Sequence, residues 1–220
     1  MRHSHRYLEI VTGLFVAVLL ISNVASTKFV KLGPFEFDGG TLLFPLSYIF
    51  GDILTEVYGY GRTRKVIWTG FAAALLMSLT FAIVASLPPS PGSETFDLLL
   101  SQVPRIVAAS LIAYFAGEFA NSYVLARLKL VTNGEHLWLR AIGSTLIGQG
   151  VDTAIFVLIA FYGVPNVPPL LTVIVSNYVF KLAVEVVLLP LTYLVVNWLK
   201  RIEDEDFFDR ATNFNPFALS

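Results

Sequence analysis

The 220-residue chain has no cysteine, which excludes disulfides, thiolate metal sites and thiol nucleophiles. Charge is scarce too: 14% of residues are charged, against about 25% in a soluble domain. With 15 Lys and Arg against 16 Asp and Glu the net charge is −1, so no basic excess points to a nucleic-acid partner. A Gly-x-x-x-x-Gly-Lys-Ser/Thr phosphate loop is missing, which removes ATP hydrolysis by that device. His3, His5 and His136 lie outside the apolar runs, and neither a His-Glu-x-x-His sequence nor a Ser/His pair at membrane depth occurs. Zinc and serine intramembrane proteolysis are therefore not expected, and no metal or cofactor is implied.

What the chain has instead is apolar length. It is 55% hydrophobic with a mean hydropathy of +0.70, and several of its apolar runs suffice to cross a hydrocarbon core of roughly 30 Å. Six spans are expected, roughly 7–30, 41–58, 66–87, 103–125, 138–162 and 170–199, with loops at the proline-rich stretches 88–93 and 164–169. The predicted fold is an all-α integral membrane protein, a six-transmembrane-helix bundle over 1–200, followed by a short acidic tail over 201–220. Eleven basic residues fall at one set of span ends (2, 6, 62, 64, 65, 127, 129, 140, 200, 201 and 210) and three at the other (28, 31 and 105). Since cytoplasmic ends retain Lys and Arg, both termini are expected to be cytoplasmic. Trp68, Trp138 and Trp198 fall at the same ends, where an indole suits the headgroup region. The N-terminal apolar run exceeds a signal peptide's usual core and five more spans follow, which favours a true span. Glu203-Asp204-Glu205-Asp206 reads as a solvated cytoplasmic tail whose substitution changes little.

Polar side chains inside these spans carry the functional signal, because an ionised group near the bilayer centre costs about 2.5–3.5 kcal/mol on insertion scales. Asp52 and Glu56 are four residues apart, as are Asn177, Lys181 and Glu185; Glu118 and Asn121 are three apart, as are Gln149 and Asp152. Each set therefore shares one helix face. Ser22, Asn23 and Lys28 add a fifth helix to this polar stripe. At about 1.5 Å per residue, Lys181 and Asp52 fall roughly 17–18 Å below the outer end, with Glu118 and Glu185 deeper and Asp152 in the outer half. Glu56 lies near the inner interface, within reach of Arg62, Arg64 or Lys65. Lys181 and Glu185 are able to neutralise each other one turn apart, and Asn and Gln to bind helices together. Yet five acids, Asp52, Glu56, Glu118, Asp152 and Glu185, face the single deep base Lys181, so a water-accessible polar cavity is the economical reading. Asp52 and Asp152 nominally supply an aspartyl-protease dyad, but nothing in the sequence requires them to meet. A channel needs a ring of ligands, which one short chain supplies only by oligomerising. Pro45 and Pro190 are expected to free backbone carbonyls inside their helices.

The segment from Phe44 to Tyr60, containing Gly51-Asp52-Ile53-Leu54-Thr55-Glu56, closely resembles the YhhQ-type queuosine precursor transporters of the vitamin uptake transporter group. So do Ile21 to Lys28, Gly117-Glu118-Phe119-Ala120-Asn121, Arg140 to Thr145, Gln149-Gly150-Val151-Asp152, Lys181 to Glu185 and Asn213 to Phe217. The resemblance implies import of 7-deazaguanine bases, nitrile- or aminomethyl-bearing, across a bacterial inner membrane for queuosine in transfer RNA. It also implies a bundle like the substrate-binding subunits of energy-coupling-factor transporters, working without their ATP-driven module. Such a ligand offers an N–H-rich edge and flat faces that stack at about 1–3 kcal/mol per base. Glu118 or Asp152 suits the N–H edge, helped by Asn121, Gln149 and Asn23. Tyr48, Tyr114, Phe119 or Tyr178 suits the faces; Lys181 suits the ring carbonyl or holds Glu185; Asp52 suits an aminomethyl cation. The small-molecule substrate and the lipid bilayer are thus the expected partners, and a homodimer fits this signature as well as a monomer does.

Overall fold

A computed structural model describes residues 5–218; Arg2 and His3 lie outside the described residues. Six helices are present: α1 (Leu8–Ala25), α2 (Phe44–Tyr58), α3 (Tyr60–Ser86), α4 (Glu94–Val131), α5 (Leu137–Phe161) and α6 (Leu170–Glu203). All but α2 contain a segment long and apolar enough to cross a membrane. α2 has 15 residues, a rise of about 22 Å, and is the helix the others enclose, packing on α1, α3, α4 and α6. Most of its side chains are buried. Shielded from lipid by protein, it need be neither as long nor as apolar as a lipid-facing span. The lipid-suited faces belong to the surrounding helices, where Leu14 and Ile21 of α1, Leu76 and Ile83 of α3 and Val187 and Leu194 of α6 are exposed.

The first expected span stops five residues early, and a short hairpin not expected from the sequence is added to the helical fold. β1 (Phe29–Leu32) and β2 (Phe35–Asp38) pair antiparallel with Phe29 opposite Asp38. Alternating Phe and Val positions suit a strand, and the two-residue connection Gly33-Pro34 needs the positive φ of +58° that Gly33 adopts. Phe37 stacks on Phe180 at 4.8 Å, and Gly39 donates its N–H to Lys28 O at 2.7 Å, so the hairpin is seated on α6 and on the end of α1. A 3-10 turn, Gly39–Leu42, then leads into α2. Pro45 occupies the first turn of α2, where no intrahelical donor is lost, so it frees no carbonyl; Pro104 and Pro190 are the prolines inside helices.

α4 and α5 form the most extensive helix pair, and Gly117 and Gly148 set its separation. A Cβ on Gly117 would stand 2.7 Å from Gly148 O, and one on Gly148 2.8 Å from Asn121 Cβ. Neither helix has slack to admit a side chain there.

The acidic tail is solvated only in part: Asp204 and Asp206 are exposed, whereas Glu203 and Asp209 are buried. Glu203 ends α6 and accepts from the backbone N–H groups of Arg6 and Tyr7 at 3.1 and 2.7 Å and from Tyr58 OH at 3.0 Å, an anion placed at the N-terminus of α1. Its substitution is therefore not neutral. Beyond Asp204, in the left-handed region at φ +50°, the chain folds back across α2, α3 and α4. Asp209 accepts Tyr60 N–H at 3.1 Å, Arg64 donates to the carbonyls of Asn213 and Asn215, and Trp68 donates to Pro216 O at 2.8 Å. Partial burial pushes the Asp206 carboxyl up, but the ammonium groups of Lys129 and Lys200 bind it and hold it below the usual carboxylate range. A depressed folded value contributes stability above the unfolded carboxylate's titration range, and that contribution is lost as pH falls through the folded value. Limited proteolysis should therefore cut the strap over 204–217 faster in acid than near neutrality, and Asp206→Asn should show the fast cleavage already near neutrality.

Candidate functional site

Polar side chains from α1, α2, α4, α5, α6 and the hairpin form a column along the bundle axis. At the hairpin end, Asp38 is buried and fully engaged: Ser26 Oγ donates to it at 2.6 Å, Thr41 Oγ1 at 3.0 Å and Asn177 Nδ2 at 2.7 Å. Below it lies a cavity of about 250 Å3, including its mouth, lined among others by Asn23, Asp38, Phe44, Ser110, Phe156 and Lys181. Its floor is the buried ion pair from Lys181 Nζ to Asp152 Oδ2 at 2.9 Å. The same ammonium lies 4.4 Å from the centre of the Phe44 ring and donates to Thr153 Oγ1 at 3.2 Å. Lys181 therefore pairs across helices with Asp152 and not along α6 with Glu185.

One to two turns deeper come Asp52, Glu118, Asn121, Gln149 and Glu185, all at most 1% exposed. Asn121 Nδ2 donates to Asp52 Oδ1 at 2.7 Å. Glu118 lies against Gly51, where a Cβ would collide with its Oε1. Tyr48 and Tyr114 meet edge to face at 5.6 Å above it, and Tyr48 OH donates to Gly148 O at 3.4 Å. Deeper still, Glu56 receives Arg140 through both guanidinium arms, Lys129 at 3.4 Å and Lys200 at 2.6 Å. These are not the partners expected: Arg62 binds Glu205 at 3.0 Å and Arg64 the strap.

The interior is unbalanced in hydrogen-bonding character. Among the described residues, nine buried acceptor oxygens of the column have no partner: Asn23 Oδ1, Asp52 Oδ2, Glu118 Oε2, Asn121 Oδ1, Gln149 Oε1, Asp152 Oδ1, Asn177 Oδ1 and both oxygens of Glu185. Against them stand one amide donor, Gln149 Nε2, and the hydroxyls of Tyr114 and Thr145. An unmade buried hydrogen bond costs about 1–3 kcal/mol, so the column is built to receive donors.

Of the expected site residues, the fold gathers Asn23, Tyr48, Asp52, Tyr114, Glu118, Asn121, Gln149, Asp152, Lys181 and Glu185 into this column. Tyr178 stands apart on the α5–α6 seam, donating to Leu146 O at 3.2 Å, and Phe119 packs among Trp68, Phe115 and Tyr60. Both are packing aromatics. Asp38, Phe44 and Phe156 were not anticipated. Asp38 lies outside any apolar run, and only the turn-forming Asp38-Gly39-Gly40 marks it. The two phenylalanines look like any apolar helix residue until a cavity opens beside them.

A family model described as "Putative vitamin uptake transporter" matches residues 38–195. The chain belongs to this family. It is a multi-pass membrane transporter and not an enzyme. Residues of this family member are 30% identical, over 190 residues and 82% of each chain, to a protein named probable queuosine precursor transporter in Bacillus subtilis. A queuosine precursor transporter of Escherichia coli is 27% identical over 193 residues and 86% of each chain. A probable queuosine precursor transporter of Haemophilus influenzae is 27% identical over 202 residues, 87% of this chain and 83% of that one. No solved structure matches.

In this transporter the Lys181–Asp152 pair holds α5 to α6 in a buried setting, so removing one partner strands the other charge, at a cost of about 3–5 kcal/mol. Lys181→Met should lower the thermal midpoint of the detergent-solubilised protein sharply. Lys181→Met with Asp152→Leu should recover much of the loss.

Proposed function

We propose that this chain imports queuosine precursors, 7-deazaguanine bases such as the cyano- and aminomethyl-substituted forms, across a bacterial inner membrane. Both termini, the strap and the Glu56 ion cluster then lie on the cytoplasmic side and the hairpin outside, with α2 as the sixth and shortest span. The observation that supports the reading is the surplus of unpartnered buried acceptors along the column; Asn23 Oδ1 lines the cavity with aromatic walls, and the others lie beside and below it. A 7-deazaguanine has carbon where guanine has the N7 acceptor and keeps its ring and exocyclic N–H groups, so it brings donors to a site short of them. The names of the three curated relatives support the same substrate class.

In this reading the base enters from the hairpin side and stacks on Phe44 or Phe156, with Asn23, Asn177 and Asp152 accepting from its N–H groups. Without its mouth the cavity has only about 10 Å3 of free space, room for about one water and far below the roughly 300–1,000 Å3 of typical ligand sites, so a base enters only if the side chains around it move. Lys181, which lies over the Phe44 face, swings aside to make room and donates to the ring carbonyl. Closure at the Glu56 cluster while the hairpin side has a cavity fits one state of an alternating-access cycle about a midplane site. Asp38 keeps Asn177 and the end of α1 in place and is a positioning residue. Two readings compete: a vitamin-like or other purine-like cargo, which the family description favours, and a substrate-binding subunit that needs an ATP-driven coupling module. Uptake by this chain alone in a host lacking that module excludes the subunit reading.

The test is accumulation of radiolabelled aminomethyl-7-deazaguanine in bacterial cells lacking both queuosine synthesis and their own importer. The gene should restore it, and excess unlabelled 7-deazaguanine should compete while adenine does not. Lys181→Ala and Asp152→Asn should each cut uptake at least about tenfold with the protein still in the membrane, as expected for losing a charged hydrogen bond of about 1.5–3 kcal/mol. No accumulation with the protein inserted, or normal uptake in both variants, overturns the proposal.

A further inference from the structure

Asp52 of α2, Glu118 of α4 and Glu185 of α6 lie together below the cavity, and none of them lines it. The cations of the column are engaged elsewhere: Lys181 by Asp152, and Arg140, Lys129 and Lys200 by Glu56. Among the described residues, none of the three carboxyls enters an ion pair. Nor do three His, Cys, Asp or Glu side chains converge on a point where one metal ion could bind them. Each carboxyl has a donor beside it, Asn121 Nδ2 on Asp52 at 2.7 Å, Ser122 Oγ on Glu118 at 3.5 Å and the Thr145 hydroxyl near Glu185, yet Asp52 Oδ2, Glu118 Oε2, Asn121 Oδ1 and both Glu185 oxygens are buried without a hydrogen bond of normal geometry. Acceptors facing acceptors in a dry interior repel. One proton cures both faults, turning a carboxylate oxygen into a donor for its neighbour and removing one charge.

The other titratable groups around the cluster are Tyr48 and Glu56 on α2, Tyr114 on α4, Asp152 and Arg140 on α5 and Lys181 on α6. α1 and α3 carry theirs, Glu9, Tyr60, Arg62, Arg64 and Lys65, near the end that holds the termini. Lys181 and Asp152 separate the cluster from the cavity, and the Glu56 cations separate it from the opposite end. The carboxyls therefore lie between the cavity and the Glu56 cluster.

We propose that Asp52, Glu118 and Glu185 form a proton-binding site distinct from the substrate cavity, and that import of the base is coupled to entry of a proton through it. The coupling rests on the transport reading above. A carboxylate oxygen takes the proton from water on the hairpin side, and the O–H bond breaks to water on the other side when the Glu56 cluster opens. The carboxylate is regenerated each cycle.

The experiment uses the full chain in proteoliposomes with a pH dye inside, the voltage clamped and radiolabelled aminomethyl-7-deazaguanine outside. With acid outside, accumulation should rise about tenfold per pH unit for one proton per base, and adding the base should acidify the lumen. Glu185→Gln or Asp52→Asn should lose the response to pH. Exchange of labelled for unlabelled base at equal pH measures transport itself. Exchange that proceeds while accumulation ignores the pH gradient, or follows a sodium gradient instead, overturns proton coupling. Absence of exchange overturns the transport reading. The site itself is then judged without substrate, by infrared spectroscopy of the solubilised protein near neutral pH. A carboxylic-acid C=O band that Glu185→Gln or Asp52→Asn diminishes supports the proton site, and its absence in the unmodified protein overturns it.

Discussion

The Glu56 carboxylate, 1% exposed, is where the bundle is tied together. It sits on α2 and binds Arg140 of α5, Lys129 of α4 and Lys200 of α6, so one side chain joins four helices. Surplus positive charge is taken up by Asp206, which bridges Lys129 at 2.6 Å and Lys200 at 2.9 Å and so draws the strap into the same cluster. Lys129 also donates to Glu56 O and Phe207 O. Desolvating such charges is expensive, and the expense is recovered only when every group is paired. That requirement fixes the relative positions of the helices at this end and closes it.

From that end to the hairpin the chemistry passes from saturated to unsaturated and back, since Asp38 at the hairpin end is fully engaged. The Glu56 cluster has more cations than it needs, the Lys181–Asp152 pair is one to one, and the carboxyls between them have no cation. A bundle held together by its own contacts alone has no use for such a gradient, since unpaired acceptors weaken it. A carrier does, because groups that are partnered only when cargo is present let cargo stabilise one conformation over another. Saturation at one end and unpartnered acceptors at the centre are the features on which the proposed gate and substrate site rest.

Much of the fold was legible in the sequence. The apolar runs of α1, α3, α4, α5 and α6 announce themselves by length, and the four- and three-residue spacings single out seven of the ten expected site residues that lie in the column. The misses have physical causes. The hairpin is written in eight residues whose strand character competes with an adjoining apolar run, so span and strand merge into one stretch of hydropathy. Tyr178 differs from Asn177 by one position, and one residue of α-helix is about 100° of rotation, enough to move it from the column to the seam. The strap looked solvated because its charges are dense, but their partners are in helices far away in sequence, from Tyr58 and Tyr60 to Lys129.

The sequence by itself determined that this chain lives in a membrane, that its helices have polar faces and that its acids outnumber its deep bases, since these are properties of composition and period. Only the tertiary structure decided which acid meets which base. Asp152 rather than Glu185 takes Lys181, and Arg140 rather than Arg62 takes Glu56. The reason is that helical period fixes the face on which a charge lies but not the helix it will face, and in a low-dielectric interior it is the facing helix that determines whether a charge is paired, idle or free to bind something else.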